Sequence, residues 1–160
     1  MKTQENLAEK KFREWLDTHQ IPFWHIRQDM ESFSHALQRY MTKRPDFMIL
    51  VPHVGFILVD VKDKKPAKKY KQFQFNEEET KQHCNLQNFF NLQVWYVLSN
   101  EDCHYDTWYW IPASKVLETG HLYHSKIKNE EYRSVSMKRL IQVSMSDNLG
   151  RLFSEMPKFL

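Results

Sequence analysis

Only two cysteines occur in 160 residues, Cys84 and Cys103, each beside a histidine. Two thiols do not make a disulfide framework, so reduced cysteines are the default. No stretch approaches the roughly 18 uninterrupted apolar residues of a membrane span. The opening MKTQENLAEKKF also lacks the apolar core of a secretory leader. These absences predict a cytoplasmic protein with no membrane partner. There are no repeats, low-complexity tracts or obvious linkers, and 41% apolar with 14% aromatic content supports one real core rather than two. A single domain over residues 1–160 is expected.

Charge is scarce in sum and uneven in place. The net charge is +3, yet residues 62–71 (KDKKPAKKYK) carry six lysines and one aspartate, so the rest of the chain is net −2. A lysine cluster beside Tyr70 suits a polyanion, whose affinity comes largely from phosphate neutralisation and counterion release. Taken alone, the run reads equally well as a solvated turn that keeps an edge soluble.

The apolar spacing alternates between helical and extended periods. Residues 4–19 (QENLAEKKFREWLDTH) place Ala8, Phe12, Trp15, Leu16 and His19 on one stripe, predicting an amphipathic helix with Thr3 as its cap. At 100° per residue, Glu5 falls within that stripe, Glu9 at its edge, and Glu14 on the opposite, solvated face. FWHIRQ (23–28) reads as a strand, and 29–44 is a long connection in which SHALQRYM supplies a helical turn or two. DFMILV (46–51) and GFILVDVK (55–62) follow as paired strands, with Gly55 helping the turn. Asn76, followed by Glu77, Glu78 and Glu79, is an N-cap with a capping-box partner, opening a helix to about Asn91.

VWYVLS (94–99) and TWYWI (107–111) complete a mixed α/β layer with a central sheet of about five strands flanked by helices. Alternation within these strands assigns Trp95, Trp108 and Trp110 to the core rather than to a base-stacking platform. The tail, 113–160, is a C-terminal extension with one legible segment, a short helix over 146–156 capped by Ser146 or Asp147. His83-Cys84 and Cys103-His104 do not read as a zinc site, because adjacent residues seldom aim at one ion and no C-x₂-C spacing occurs.

The most apolar segment has charge at both ends. In a strand, Asp60 and Lys62 project from one face, with Phe56 and Leu58 behind them. Antiparallel pairing brings Asp46 to the same sheet edge, and Glu9 or Glu5 on a packed helix adds a third carboxylate. Such a cluster suits Mg²⁺, with Mn²⁺ a possible substitute, and a lysine beside it counters developing negative charge. These residue types match phosphodiester hydrolysis better than any other reaction visible in the chain.

Pro45-Asp46, a strand, a turn, a second strand and Asp60-Val61-Lys62, behind a helix of carboxylates, resemble the PD-(D/E)xK nuclease superfamily. AEKKFREWLDTHQI (8–21) ahead of that motif is similar to archaeal Holliday-junction resolvases. Asp60 stands where the family more often has glutamate, the connection before Asp46 is longer than in the resolvases, and the likeness spans about residues 5–111. The resemblance implies a restriction-endonuclease-like core and a Mg²⁺-dependent deoxyribonuclease, an endonuclease, working on DNA and often as a homodimer. It makes Glu9 the helix carboxylate, with Glu5 the alternative, and Asp46 and Asp60 the metal ligands together with the Val61 carbonyl. Lys62 becomes the catalytic lysine. Arg44 and Lys64, Lys65, Lys68, Lys69 and Lys71 are the candidate phosphate contacts. The alternative reading is a catalytically idle nucleic-acid-binding module on the same fold.

Overall fold

The computed structural model describes residues 6–51 and 54–154. Its first element, α1 (Leu7–Thr18), begins where Asn6 accepts a hydrogen bond from the Glu9 amide at 2.8 Å. Asn6 is therefore the cap. Thr3, the cap expected from the sequence, lies outside the described residues, as does Glu5. The expected stripe is the buried face: Ala8, Phe12, Trp15 and Leu16 are enclosed, whereas Glu14 is exposed. Phe12 is the centre of an aromatic cluster, with ring centroids 5.4 Å from Phe47, 5.2 Å from Trp108 and 5.7 Å from Trp110. Edge-on aromatic contacts of this kind add to the burial term.

The main sheet has six strands rather than about five. They are β1 (Phe23–His25), β2 (Phe47–Val51), β3 (Gly55–Asp63), β5 (Val94–Ser99), β6 (Thr107–Pro112) and β9 (Ile141–Ser144), adjacent in that order. The strand expected over 23–28 is thus cut to three residues. The pairs β1–β2, β2–β3, β5–β6 and β6–β9 are antiparallel, and β3–β5 is parallel. A parallel pair needs a crossover. It is made through β4 (Gln72–Asn76) and α3 (Glu77–Phe90), which starts at the expected Asn76 cap. The long connection before β2 contains the expected helical turn, α2 (His35–Arg39).

The tail is more ordered than its pattern suggests. It supplies α4 (Ala113–Thr119), β7 (His121–Ser125), β8 (Glu130–Ser136), β9 and α5 (Gly150–Ser154). Asn148, not Ser146 or Asp147, accepts the Gly150 amide at the start of α5. Strands β4, β8 and β7 form a second, antiparallel sheet. It packs through Phe73 on Tyr109 and Phe75 on Tyr96, on the face of the main sheet opposite the Phe12 cluster. Arg133 on β8 ties this sheet to α3 by donating to both oxygens of Glu77, at 2.7 and 3.1 Å. The three buried tryptophans, Trp95, Trp108 and Trp110, are core residues. No helix among the described residues is long and apolar enough to cross a membrane.

Phe12→Ala removes the ring at the junction of α1 with the sheet. The expected cost is about 3–5 kcal/mol, measured as a fall in the denaturant midpoint with an unchanged slope.

Candidate active site

The β2–β3 hairpin sets the register Phe47 opposite Val59. The ladder continues one residue further, with the Asp46 amide donating to Val59 O at 2.9 Å. Asp46 therefore sits beside the outgoing end of β3, and its carboxylate accepts the Val61 amide at 2.7 Å. Asp60 and Lys62 project together from β3, joined by an ion pair of 2.8 Å between Nζ and Oδ2. Both aspartates are buried, 8% exposed for Asp46 and 4% for Asp60. Glu9 reaches the same place from the first turn of α1, held by Asn6 Nδ2 at 3.3 Å and with His25 Nε2 3.8 Å away. Glu9, Asp46, Asp60, Val61 and Lys62 all line one open cleft of about 510 Å³.

Three converging carboxylates resist joint ionisation. Burial, then the charges of Asp60 and Glu9, push the Asp46 carboxyl up to about 9. Lys62 is also raised, but here the shift favours the charged form. Burial disfavours its ammonium, but the Asp60 and Glu79 carboxylates outweigh that cost and raise the lysine above its ordinary value. It stays an ammonium at neutral pH and is poorly suited to accept a proton.

Glu79 is the site residue that the sequence reading missed. Its position at the third residue of α3 was explained locally, as a capping-box partner. Asn76 does accept the Glu79 amide at 2.9 Å. The Glu79 side chain, however, contacts the Lys62 ammonium and takes a second ion pair from Lys43 at 2.8 Å. Although burial raises the Glu79 carboxyl, Lys62 and Lys43 overcome it and hold the group down at about 2. One turn along α3, fully buried His83 places Nε2 3.7 Å from Asp60 Oδ1, while its Nδ1 shares a 2.6 Å hydrogen bond with the Tyr96 hydroxyl. Burial pulls that imidazole below its ordinary value, although the Asp60 charge opposes the shift. The spacing of Glu79 and His83 by four residues was the available signal, since it puts both on one helix face.

Among the described residues, Asp60, Glu79 and His83 form a group whose ligand atoms lie within 4.8 Å of one another. Lys62 already occupies two of those carboxylates. The Glu9, Asp46 and Asp60 side offers three carboxylates on the open cleft, an all-oxygen donor set that is the better fit for a hard divalent cation. Burial pushes the neighbouring Cys84 thiol up to about 11.

The candidate phosphate contacts separate in space. Arg44 lines the cleft, yet its guanidinium donates to the carbonyls of Arg27, Gln28 and Asp29 and to Ser32 Oγ, clamping the connection before β2. Lys64 lines the cleft, Lys65 pairs with Asp102 at 3.0 Å, and Lys68, Lys69 and Lys71 lie exposed on the turn beyond β3. Lys43, beside Arg44, is the cleft cation that the sequence reading passed over.

This arrangement of sheet, flanking helices and hairpin-borne acidic residues is the restriction-endonuclease-like fold. A solved structure of Hjc, a Holliday junction resolvase from the archaeal hyperthermophile Archaeoglobus fulgidus, superposes with a TM-score of 0.52, 12% identity, and coverage of 81% of this chain and 85% of that one. No family model and no curated protein matches the chain.

Asp46 tests the charge cluster directly. Its folded-state value lies above its unfolded one, so the folded chain holds the proton more tightly and stability is lost as pH rises from about 4 to about 9. In EDTA, Asp46→Asn is therefore expected to be more stable than the native chain by about 1–3 kcal/mol at pH 8. The gain should shrink towards pH 4, as followed by denaturant melts across that range.

Proposed function

We propose that this protein is a metal-dependent nuclease of the PD-(D/E)xK type that hydrolyses phosphodiester bonds in DNA as an endonuclease. The observation that carries the reading is the convergence of Glu9, Asp46, Asp60 and Lys62 on one cleft of a fold shared with a junction resolvase. Asp46, Asp60 and Glu9, with the Val61 carbonyl, are the groups that would hold Mg²⁺, or Mn²⁺ in its place. A divalent cation there supplies Lewis-acid stabilisation of the phosphodiester and eases ionisation of water.

The chain's own residues do the rest. Lys62, fixed between Asp60 and Glu79, presents a permanent positive charge where negative charge develops on the scissile phosphate. Because its ammonium is stabilised, Lys62 orients the nucleophile as a donor rather than removing its proton. Glu79 is a positioning residue, since it acts through Lys62. His83 backs the Asp60 carboxylate from the buried side. Lys43 and Lys64 offer charge to the flanking phosphates, and the exposed Lys68, Lys69 and Lys71 extend it. A two-stranded substrate suits two copies related by a two-fold axis, so the working form is proposed to be a homodimer.

The test is cleavage of labelled single-stranded, duplex and four-way-junction DNA in Mg²⁺, Mn²⁺ or EDTA, by the native chain and by Asp60→Asn and Lys62→Ala. Metal-dependent cutting that falls at least about 100-fold in both variants is the expected outcome. Native protein that binds these DNAs and cuts none of them would replace the nuclease with the idle binding module.

A further inference from the structure

Beside the cleft lies a second groove of about 290 Å³ between the outgoing end of β3 and the β7–β8 hairpin. Lys64 lines both. Its ammonium donates to Gln74 O at 2.8 Å, which holds the charge at the junction of the two spaces. The lining includes Lys64, Lys65 and Lys128 and no carboxylate. The nearby acids are paired with lining residues: Asp102 and Glu101 with Lys65 at 3.0 and 4.0 Å, and Glu130, which accepts the Tyr132 hydroxyl at 2.6 Å.

Lys128 is exposed on the hairpin turn, its Nζ 5.8 Å from the centre of the Tyr132 ring. The Tyr132 ring stacks on Tyr123 at 5.8 Å with 23° between planes. Burial, then repulsion from Lys62, lowers Lys64, and the Lys128 charge adds to that repulsion. Cations gathered along a groove wall without carboxylates between them are complementary to a run of phosphates. The paired tyrosines add an aromatic surface of the kind on which unpaired bases stack.

We propose that this groove is a second nucleic-acid subsite, in which Lys64, Lys128 and the Tyr123–Tyr132 pair hold a DNA strand as it leaves the catalytic cleft. The proposal rests on the nuclease reading for its choice of ligand. The 113–160 extension then has a function: its hairpin lengthens the DNA track beyond the acidic site. The 62–71 lysine run feeds two surfaces, with Lys62 facing the chemistry and Lys64 and Lys65 facing the groove.

Binding in EDTA separates this proposal from catalysis. A labelled 20-nucleotide single-stranded DNA is titrated by fluorescence anisotropy against the native full-length chain, Lys128→Ala, Lys128→Glu and, as control, Lys10→Glu on the exposed side of α1. Lys128→Ala should reduce the slope of log affinity against log salt by about one phosphate contact. Lys128→Glu should weaken binding at least about fivefold at 100 mM salt, and Lys10→Glu less than twofold. An equal loss in Lys128→Glu and Lys10→Glu, or no loss in Lys128→Glu, overturns the subsite. Cleavage without dependence of binding on Lys128 would remove the groove and leave the nuclease. Lys128-dependent binding without cleavage would do the reverse.

Discussion

The Lys62 ammonium, wedged between Asp60 and Glu79, is the interaction on which the rest of the site depends. Without it, Asp60 would face Glu9 and Asp46 across the cleft with no ammonium against its carboxylate, and Glu79 would keep only its pair with Lys43. Buried like charges are expensive, and the elevated Asp46 shows that one ammonium does not neutralise the group. The fold holds this arrangement because each member arrives on a different packed element. The hairpin fixes Asp46 against Asp60, α1 brings Glu9 through the Phe12 cluster, and the α3 crossover brings Glu79 and His83. Side chains carried on packed helices and strands are held more closely than side chains on loops.

Much of that site was legible in the sequence, for reasons that are local. Strand alternation alone puts Asp60 and Lys62 on one face, and a short turn returns Asp46 to them. The 3.6-residue period places Glu9 at the edge of the buried stripe, where it is partly enclosed and reaches the cleft. Glu79 was hidden because its place beside a good N-cap already had a sufficient local explanation. Its partnership with Lys62 exists only because β3 and β5 are parallel and α3 must pass over them. Arg44 and Lys43 are adjacent and both line the cleft, so which one is committed to the backbone depends on how the preceding connection folds back onto Arg44.

The second sheet was illegible for a different reason. QFQFN alternates well, but it is only five residues long and follows a lysine-rich turn. HLYHS and EEYRSVS bury little, so their apolar pattern is faint, and their pairing is enforced by register with β4 and by the Arg133–Glu77 clamp. Likewise β9 is four residues long and joins the main sheet only at its far edge. The lysine run illustrates the same limit. Its composition announced a polyanion contact, whereas the backbone distributes its members among an ion pair, a groove and an exposed turn.

The central claim is that the carboxylate convergence at Asp46 and Asp60 is a divalent-cation site, and calorimetric titration with Mn²⁺ and with Mg²⁺ addresses it most directly. The native chain should bind saturably, and Asp46→Asn with Asp60→Asn together should abolish that binding while the protein stays folded. Binding that is unchanged in the double variant would contradict the account, because the charge cluster would then have no part in holding the ion.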